Sequence, residues 1–413
     1  MSERFQLQCQ GCQRKLGNAP LVLCDDCFSP LEVEFDLGEL RGALSRQLIE
    51  SRERDIWRYR ELLPVEEKSI SWLPVGYTPL LRSRGLARRL GSDDLWLKND
   101  AVCFPTLSFK DRVVAVALSQ ARAFGFQEVG CASTGNLANA VAAQAARLGL
   151  GAWIFIPAGL EPAKVLGTQV YGARLVVIAG NYDQVNRICA ELAERHPWGL
   201  VNVNLRPYYA EGSKTVGFEI CEQLGWRLPD NVVVPMAGGA QIAKIAKGFQ
   251  ELVALGLVAP RPVRYFGAQA QGCSPIATAV EAGKEEIVPQ RPETICRSLA
   301  IGNPADGYRA ISVIRESGGW AASASDPEIL EGMRLLAGEE GILGETAAGV
   351  TVSVAGRLLR QGRIAPSQTT VLCVSGNGLK TLDPLASELP SPAPLPPRLE
   401  ALEADLGLGA RVG

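Results

Sequence analysis

From Asp94 onward the chain alternates two textures. Short runs rich in β-branched and aromatic residues are separated by longer segments whose apolar positions recur at helical spacing. The first series reads as strand "DLWLKND", helix Val113–Phe124, strand "EVGCAST", helix Leu137–Leu148, strand "AWIFIP", helix Pro162–Val170, strand "RLVVIAG", helix Tyr182–Glu194 and strand "LVNVN". A second series gives helix Lys214–Leu224, strand "NVVVP", helix Ala240–Leu255, strand "RYFGAQ" and a last strand in "TTVLCVSGNG". Strands that alternate with helices are joined by crossovers, which makes the sheet parallel. The expectation is an α/β protein built from two such units.

Upstream the texture differs. Residues 38–70 carry charge at helical spacing, as in "LGELRGALSRQLIESRERDIWRYRELLP", and predict a surface helix pair. Residues 1–35 form a separate small unit holding two Cys-x-x-Cys pairs, "CQGC" and "CDDC". Cys9, Cys12, Cys24 and Cys27 can close tetrahedrally on a structural Zn2+, each pair forming a knuckle, and four thiolates leave no position open for catalysis. From Leu385 the chain is proline-rich and then small and acidic, which predicts a flexible tail over 385–413 that ends in a short helix.

Composition narrows the classes of function. With 47% apolar and 21% charged residues, the 413-residue chain is globular and long enough for two packed domains. Lys plus Arg number 42 against 44 Asp plus Glu, and no basic run or stripe suits nucleic acid or an anionic membrane. No apolar stretch reaches the length of a membrane span, and the N-terminus shows no secretory signal. The seven cysteines outside the cluster are scattered through apolar segments, as buried thiols of a cytoplasmic protein are. The single histidine, His196, stands at an expected helix end. It argues against Ser-His-Asp and Cys-His hydrolases and against histidine-ligated metals.

The candidate chemistry lies in loops that follow strands, where α/β sheets bind ligands. In "FPTLSFKDRVVAVAL", Lys110 stands just ahead of an apolar helix. It either faces water from the first helical turn or is held in a pocket for covalent chemistry. The loop Met236, Ala237, Gly238, Gly239, Ala240 joins a strand to a helix through small residues, so backbone N–H groups can approach a phosphate. "STGN", Ser133, Thr134, Gly135 and Asn136, repeats that arrangement and either caps the helix or binds a carboxylate. "VSGNG" places Ser375 after the last strand. A lysine that forms a Schiff base with a phosphate-bearing aldehyde uses all of these features, and that cofactor is pyridoxal 5′-phosphate.

In this order the motifs "PTLSFKDR", "STGN", "RPYYAEGSKT", "SLAIGNPADG", "GILGETAAG" and "VSGNGLK" resemble the threonine synthases, pyridoxal-phosphate enzymes of fold type II. The likeness runs from about Cys9 to Asp383, and the Cys-x-x-Cys pairs are similar to those of the longer members. The resemblance implies two doubly wound α/β domains with the cofactor between them, a small domain over 103–205 and a large one over 36–102 and 206–384. It makes Lys110 the Schiff-base lysine and proton shuttle. Asn136 would bond the cofactor's phenolic oxygen, Met236–Ala240 its phosphate, and Ser375 its pyridine nitrogen. The implied reaction turns O-phospho-L-homoserine and water into L-threonine and phosphate, in a homodimer.

For that small phosphorylated amino-acid substrate, the candidate ligands are Ser133, Thr134, Gly135, Asn204, Arg206 and Lys214. Three positions depart from the family pattern. Leu137 replaces a hydroxyl residue after Asn136, "MAGGA" replaces a loop with asparagine side chains, and "SGNG" begins with serine where threonine is usual. The alternatives kept beside this reading are a cysteate synthase acting on O-phosphoserine, a serine/threonine dehydratase, and an amino-acid-binding regulatory homologue.

Overall fold

The β-branched runs pair into two parallel sheets in a computed structural model that describes residues 4–133, 135–159, 162–180, 182–386, 389 and 392–408. Strands β1 (Phe5–Cys9), β2 (Lys15–Gly17) and β3 (Leu31–Phe35) make a small antiparallel sheet in the order β2-β1-β3. Strands β4 (Leu80–Arg82) and β5 (Leu95–Asn99) join β10 (Asn231–Pro235), β11 (Arg264–Ala270), β12 (Trp320–Ala324) and β13 (Thr370–Val374) in a sheet ordered β12-β11-β10-β13-β5-β4. Only the β4 edge of that sheet is antiparallel. Strands β6 (Glu128–Ala132), β7 (Gly151–Pro157), β8 (Arg174–Ile178) and β9 (Trp198–Leu200) form a fully parallel sheet, β8-β7-β6-β9.

The helices follow the expected crossovers. They are α1 (Leu37–Leu40), α2 (Arg46–Glu50), α3 (Gly85–Leu90), α4 (Lys110–Ala123), α5 (Asn136–Leu148), α6 (Pro162–Gln169), α7 (Tyr182–Arg195), α8 (Arg206–Glu211), α9 (Lys214–Gln223) and α10 (Ala240–Ala254). Then come α11 (Pro275–Glu281), α12 (Gly307–Glu316), α13 (Asp326–Glu340) and α14 (Thr346–Arg360). Central strand β10 is buried at every position, as a parallel strand covered on both faces must be. One core gathers β10, α9, α10 and α12; a second joins β6, α4 and α5 to Phe5, Leu7 and Val33 of the small sheet.

Three expectations change. Residues 38–70 do not form a surface helix pair. They break into α1, α2 and two 3-10 turns, Ile56–Leu62 and Glu67–Ser69, with Trp57, Arg58 and Tyr59 buried. Among their charges Arg58 is matched from inside, lying 2.9 Å from Glu222. The strand "LVNVN" stops at Leu200, because Asn204 folds back over the turn. Between "RYFGAQ" and the last strand lie α11–α14 and β12, whose small residues (Trp320–Ala324 reads WAASA) carry little β-branched signal.

The chain divides into two compact units with the boundary between Thr381 and Leu382. The second unit contains the short helices α15 (Asp383–Ala386) and α16 (Leu399–Asp405). Among the described residues no helix is long and apolar enough to cross a membrane.

Candidate functional site

Three successive charged residues at the head of α4 fill three different environments. Lys110 opens the helix and faces a cavity of about 220 Å³. Its Nζ donates to the Tyr209 hydroxyl at 2.7 Å. Burial presses the amine's pKa down to about 8, with Cys131 acting weakly the other way. Asp111 turns back to accept from the Thr106 hydroxyl and amide at 2.7 and 3.0 Å, which fixes the approach to the helix. Burial pushes that carboxyl up to about 7 against these bonds. Arg112 is wholly buried and meets Asp100 and Glu219.

Loops at the carboxyl ends of β6, β10 and β13 supply the cavity's other walls. After β6, the Ser133 hydroxyl accepts from the amides of Gly135 and Ala138, so it caps α5 while lining the cavity. Asn136 begins α5; its Nδ2 donates to both carboxylate oxygens of Glu345 at 2.8 Å, and its buried Oδ1 has no partner. After β10, Met236 to Ala240 line the cavity and lead into α10. Gly239 adopts φ +91°, and a Cβ there would stand 2.8 Å from the Asp306 carbonyl. After β13, Ser375 lines the cavity and its carbonyl accepts from the Phe109 amide at 2.9 Å.

Arg206, at the start of α8, also lines the cavity, with Nη2 2.6 Å from the Asp306 carboxylate. Burial works to lower the guanidinium's pKa, but Asp306 outweighs it and raises it. Not all candidate residues meet here. Lys214 is a correction: its ammonium is fully buried between Glu211 at 2.6 Å and Glu251 at 2.8 Å, away from the cavity. Asn204 is a second, since its side chain bonds the Leu200 amide and Trp198 carbonyl and holds a turn. Gly135 serves the backbone, at φ +134° with the Lys164 chain against it. Thr134 lies outside the described residues.

The cavity also gathers Tyr209, Glu345, Asp306 and Tyr182, which the sequence reading did not single out. Tyr209 and Glu345 sit inside the quoted motifs "RPYYAEGSKT" and "GILGETAAG", so the signal was present without a role attached. His196 lies exposed just beyond α7, its ring 6.0 Å from that of Trp198.

The residues fit pyridoxal phosphate. The depressed amine of Lys110 suits carbonyl chemistry. The glycine at φ +91° and the N-terminus of a 15-residue helix leave room and N–H groups for a phosphate. The orphaned Asn136 Oδ1 awaits a donor such as a phenolic hydroxyl. Apart from this cavity, the sulfurs of Cys9, Cys12, Cys24 and Cys27 all lie within 4.8 Å of one another. Cys9–Cys27 and Cys12–Cys24 are 3.3 and 3.7 Å apart, close to the separation of about 3.8 Å that four sulfurs adopt around a tetrahedral zinc.

Residues 72–376 match the family of pyridoxal-phosphate dependent enzymes. The chain is 35% identical over 408 residues to threonine synthase of Methanocaldococcus jannaschii, covering 98% of each. It is 35% identical to that of Methanosarcina acetivorans over 91% of this chain and 92% of the other. It is 40% identical to that of Synechocystis over 79% and 82%. Among solved structures, diaminopropionate ammonia lyase of Escherichia coli superposes with a TM-score of 0.67 at 18% identity, over 84% of this chain and 93% of that one. Threonine deaminase isoform 2 of Solanum lycopersicum gives 0.64 at 20%, over 80% and 92%. At these identities the two structures carry the fold: this is a type II pyridoxal-phosphate architecture.

Proposed function

The chain belongs to the threonine synthases, within the pyridoxal-phosphate dependent enzymes, and on that premise we propose that it converts O-phospho-L-homoserine and water into L-threonine and phosphate. The observation that carries this reading is the meeting of the Lys110 amine and the Arg206 guanidinium on one cavity. One can move protons and the other can hold a dianion.

Pyridoxal phosphate, when bound, supplies the electron sink that makes the substrate's Cα and Cβ hydrogens acidic. Lys110 would anchor it, with Met236–Ala240 around its phosphate, Asn136 at its phenolic oxygen and Ser375 at its ring nitrogen. A serine hydroxyl is neutral and does not enforce a protonated ring as a carboxylate would. Lys110 Nζ removes the Cα proton and then a Cβ proton; the C–O bond at Cγ breaks and phosphate departs. Arg206 holds that phosphate through charge-assisted hydrogen bonds. Water adds its hydroxyl at Cβ, and protons return to Cγ and Cα. The reading assigns the substrate carboxylate to Ser133, which lines the cavity. Asn204 and Lys214 have no part in it, being occupied elsewhere.

The same reading assigns a structural zinc to the four cysteines, a homodimeric cytoplasmic enzyme, and a small domain around the four-stranded sheet facing a large one around the six-stranded sheet. The decisive measurement is phosphate release by the cofactor-loaded protein, with the amino-acid product identified. O-phospho-L-homoserine should yield phosphate and threonine. Turnover only of O-phospho-L-serine with sulfite would instead make this a β-replacement enzyme.

A further inference from the structure

Lys110 carries four rotatable bonds, and a free amine on such a stem does not keep its aim unaided. Proton transfer between two neighbouring carbons demands that it does. Among the described residues the amine makes one hydrogen bond, to the Tyr209 hydroxyl at 2.7 Å. Tyr209 comes from α8, a different element, and its ring also lies beside the ammonium, with Nζ 5.4 Å from the centroid. The adjacent Tyr208 uses its hydroxyl elsewhere, on the amide and carbonyl of Ala19 at 3.0 and 2.6 Å. Two tyrosines in "RPYYAEGSKT" therefore have separate tasks.

We propose that Tyr209 is a positioning residue of this site, its hydroxyl holding the unattached Lys110 amine where it exchanges protons with the substrate carbons. The assignment deepens the proposed reaction and rests on it. No proton passes through the tyrosine. The proton leaving Cα goes to Nζ, an N–H of the resulting ammonium donates to Oη, and the phenol keeps its own hydrogen. Burial raises the phenol's pKa, so it stays neutral beside the amine. The other titratable or charged groups around this pair are Arg206 on α8, Tyr182 on α7, Cys131 on β6, Asp306 ahead of α12, Glu345 ahead of α14 and Asp111 on α4 itself. Of these, Cys131 works against burial by raising the amine's pKa, and it is itself buried.

An acceptor on an ammonium favours its charged form, so removing the hydroxyl should lower the amine's pKa. The test compares Tyr209→Phe with Tyr208→Phe, each losing one oxygen from the same helix. Two readouts are taken: steady-state kinetics against pH, and the pH dependence of acetic anhydride labelling of Lys110 in the full chain before cofactor loading, followed by peptide mass. Tyr209→Phe should lower kcat at least tenfold with KM for O-phospho-L-homoserine within threefold, and move the Lys110 titration to lower pH. Tyr208→Phe should lower Tm but leave kcat and the titration as in the wild type. A Tyr209→Phe enzyme with wild-type kcat overturns the proposal, as does an equal fall in kcat from Tyr208→Phe. If the wild type releases no phosphate from O-phospho-L-homoserine, the proposed reaction fails. The labelling would then still report whether Tyr209 holds the amine.

Discussion

Lys110, Asp111 and Arg112 follow one another along the chain, yet one faces a cavity, one caps its own loop and one anchors a buried ion network. Successive side chains on a helix point about 100° apart, which is how a single turn serves three tasks. The covalent task belongs to the first alone. Lys110→Ala should leave no pyridoxal phosphate attached to the peptide after borohydride reduction, where the wild type carries one group per chain. Gly239 makes the opposite kind of prediction, since its value is the atom it lacks. Gly239→Ala adds strain of about 1–2 kcal/mol at positive φ and drives a methyl into the Asp306 carbonyl. Cofactor affinity, followed by fluorescence titration, should fall at least tenfold. The lysine and the small-residue loop were legible in sequence because residue type and position after a strand point to their chemistry. Lys214 was not. A lysine inside a family motif looks like a phosphate ligand until Glu211 and Glu251, the latter 37 residues away, are seen around it.

At the scale of elements, α4, α9 and β5 are locked by buried charge. Glu219 accepts from Lys98 at 2.6 Å, from Arg112, and from the amide of Tyr77 at 2.7 Å. Burial works to raise the Glu219 pKa, but Arg112 and Lys98 outweigh it and pull the carboxyl down to about 2 from an ordinary 4.5. A carboxyl depressed on folding adds stability above its unfolded pKa, and that stability drains away as pH falls toward the folded value. The window here is about pH 4.5 down to 2, and the contribution is on the order of 3 kcal/mol. Glu219→Gln should cost about 3–5 kcal/mol at neutral pH by leaving Lys98 and Arg112 undercompensated. Denaturant unfolding at pH 7 and pH 3 would show it, with the gap between mutant and wild type narrowing at the lower pH. This network also explains why residues 38–70 were misjudged. Charge at helical spacing ordinarily marks a solvated face, but Arg58 there is matched by Glu222 from another element, and local pattern cannot see a distant partner. The regular βα alternation was readable where strands such as Asn231–Pro235 and Arg264–Ala270 announce themselves within five or seven residues.

At the scale of the molecule, the small cysteine-bearing sheet is built into the body of the fold. Its Phe5, Leu7 and Val33 share a core with α4, and Glu32 meets Lys247 of α10 at 3.1 Å. Cys9→Ser should reduce bound zinc from one per chain, measured by elemental analysis, and lower Tm by several degrees. Activity should fall with it, since α10 carries cavity residues and its Lys247 bonds Glu32 of this sheet. The cavity itself draws Ser133 and Asn136 from beyond the four-stranded sheet, and Gly238, Gly239 and Ser375 from beyond the six-stranded one. A molecule that grips both walls at once binds only the assembled form, so its concentration enters the folding equilibrium directly. At a hundred times its dissociation constant it adds about 2.7 kcal/mol. A chain made when the cofactor is scarce is then the same sequence with a shorter lifetime, and the supply of a vitamin-derived aldehyde sets how much of this enzyme survives.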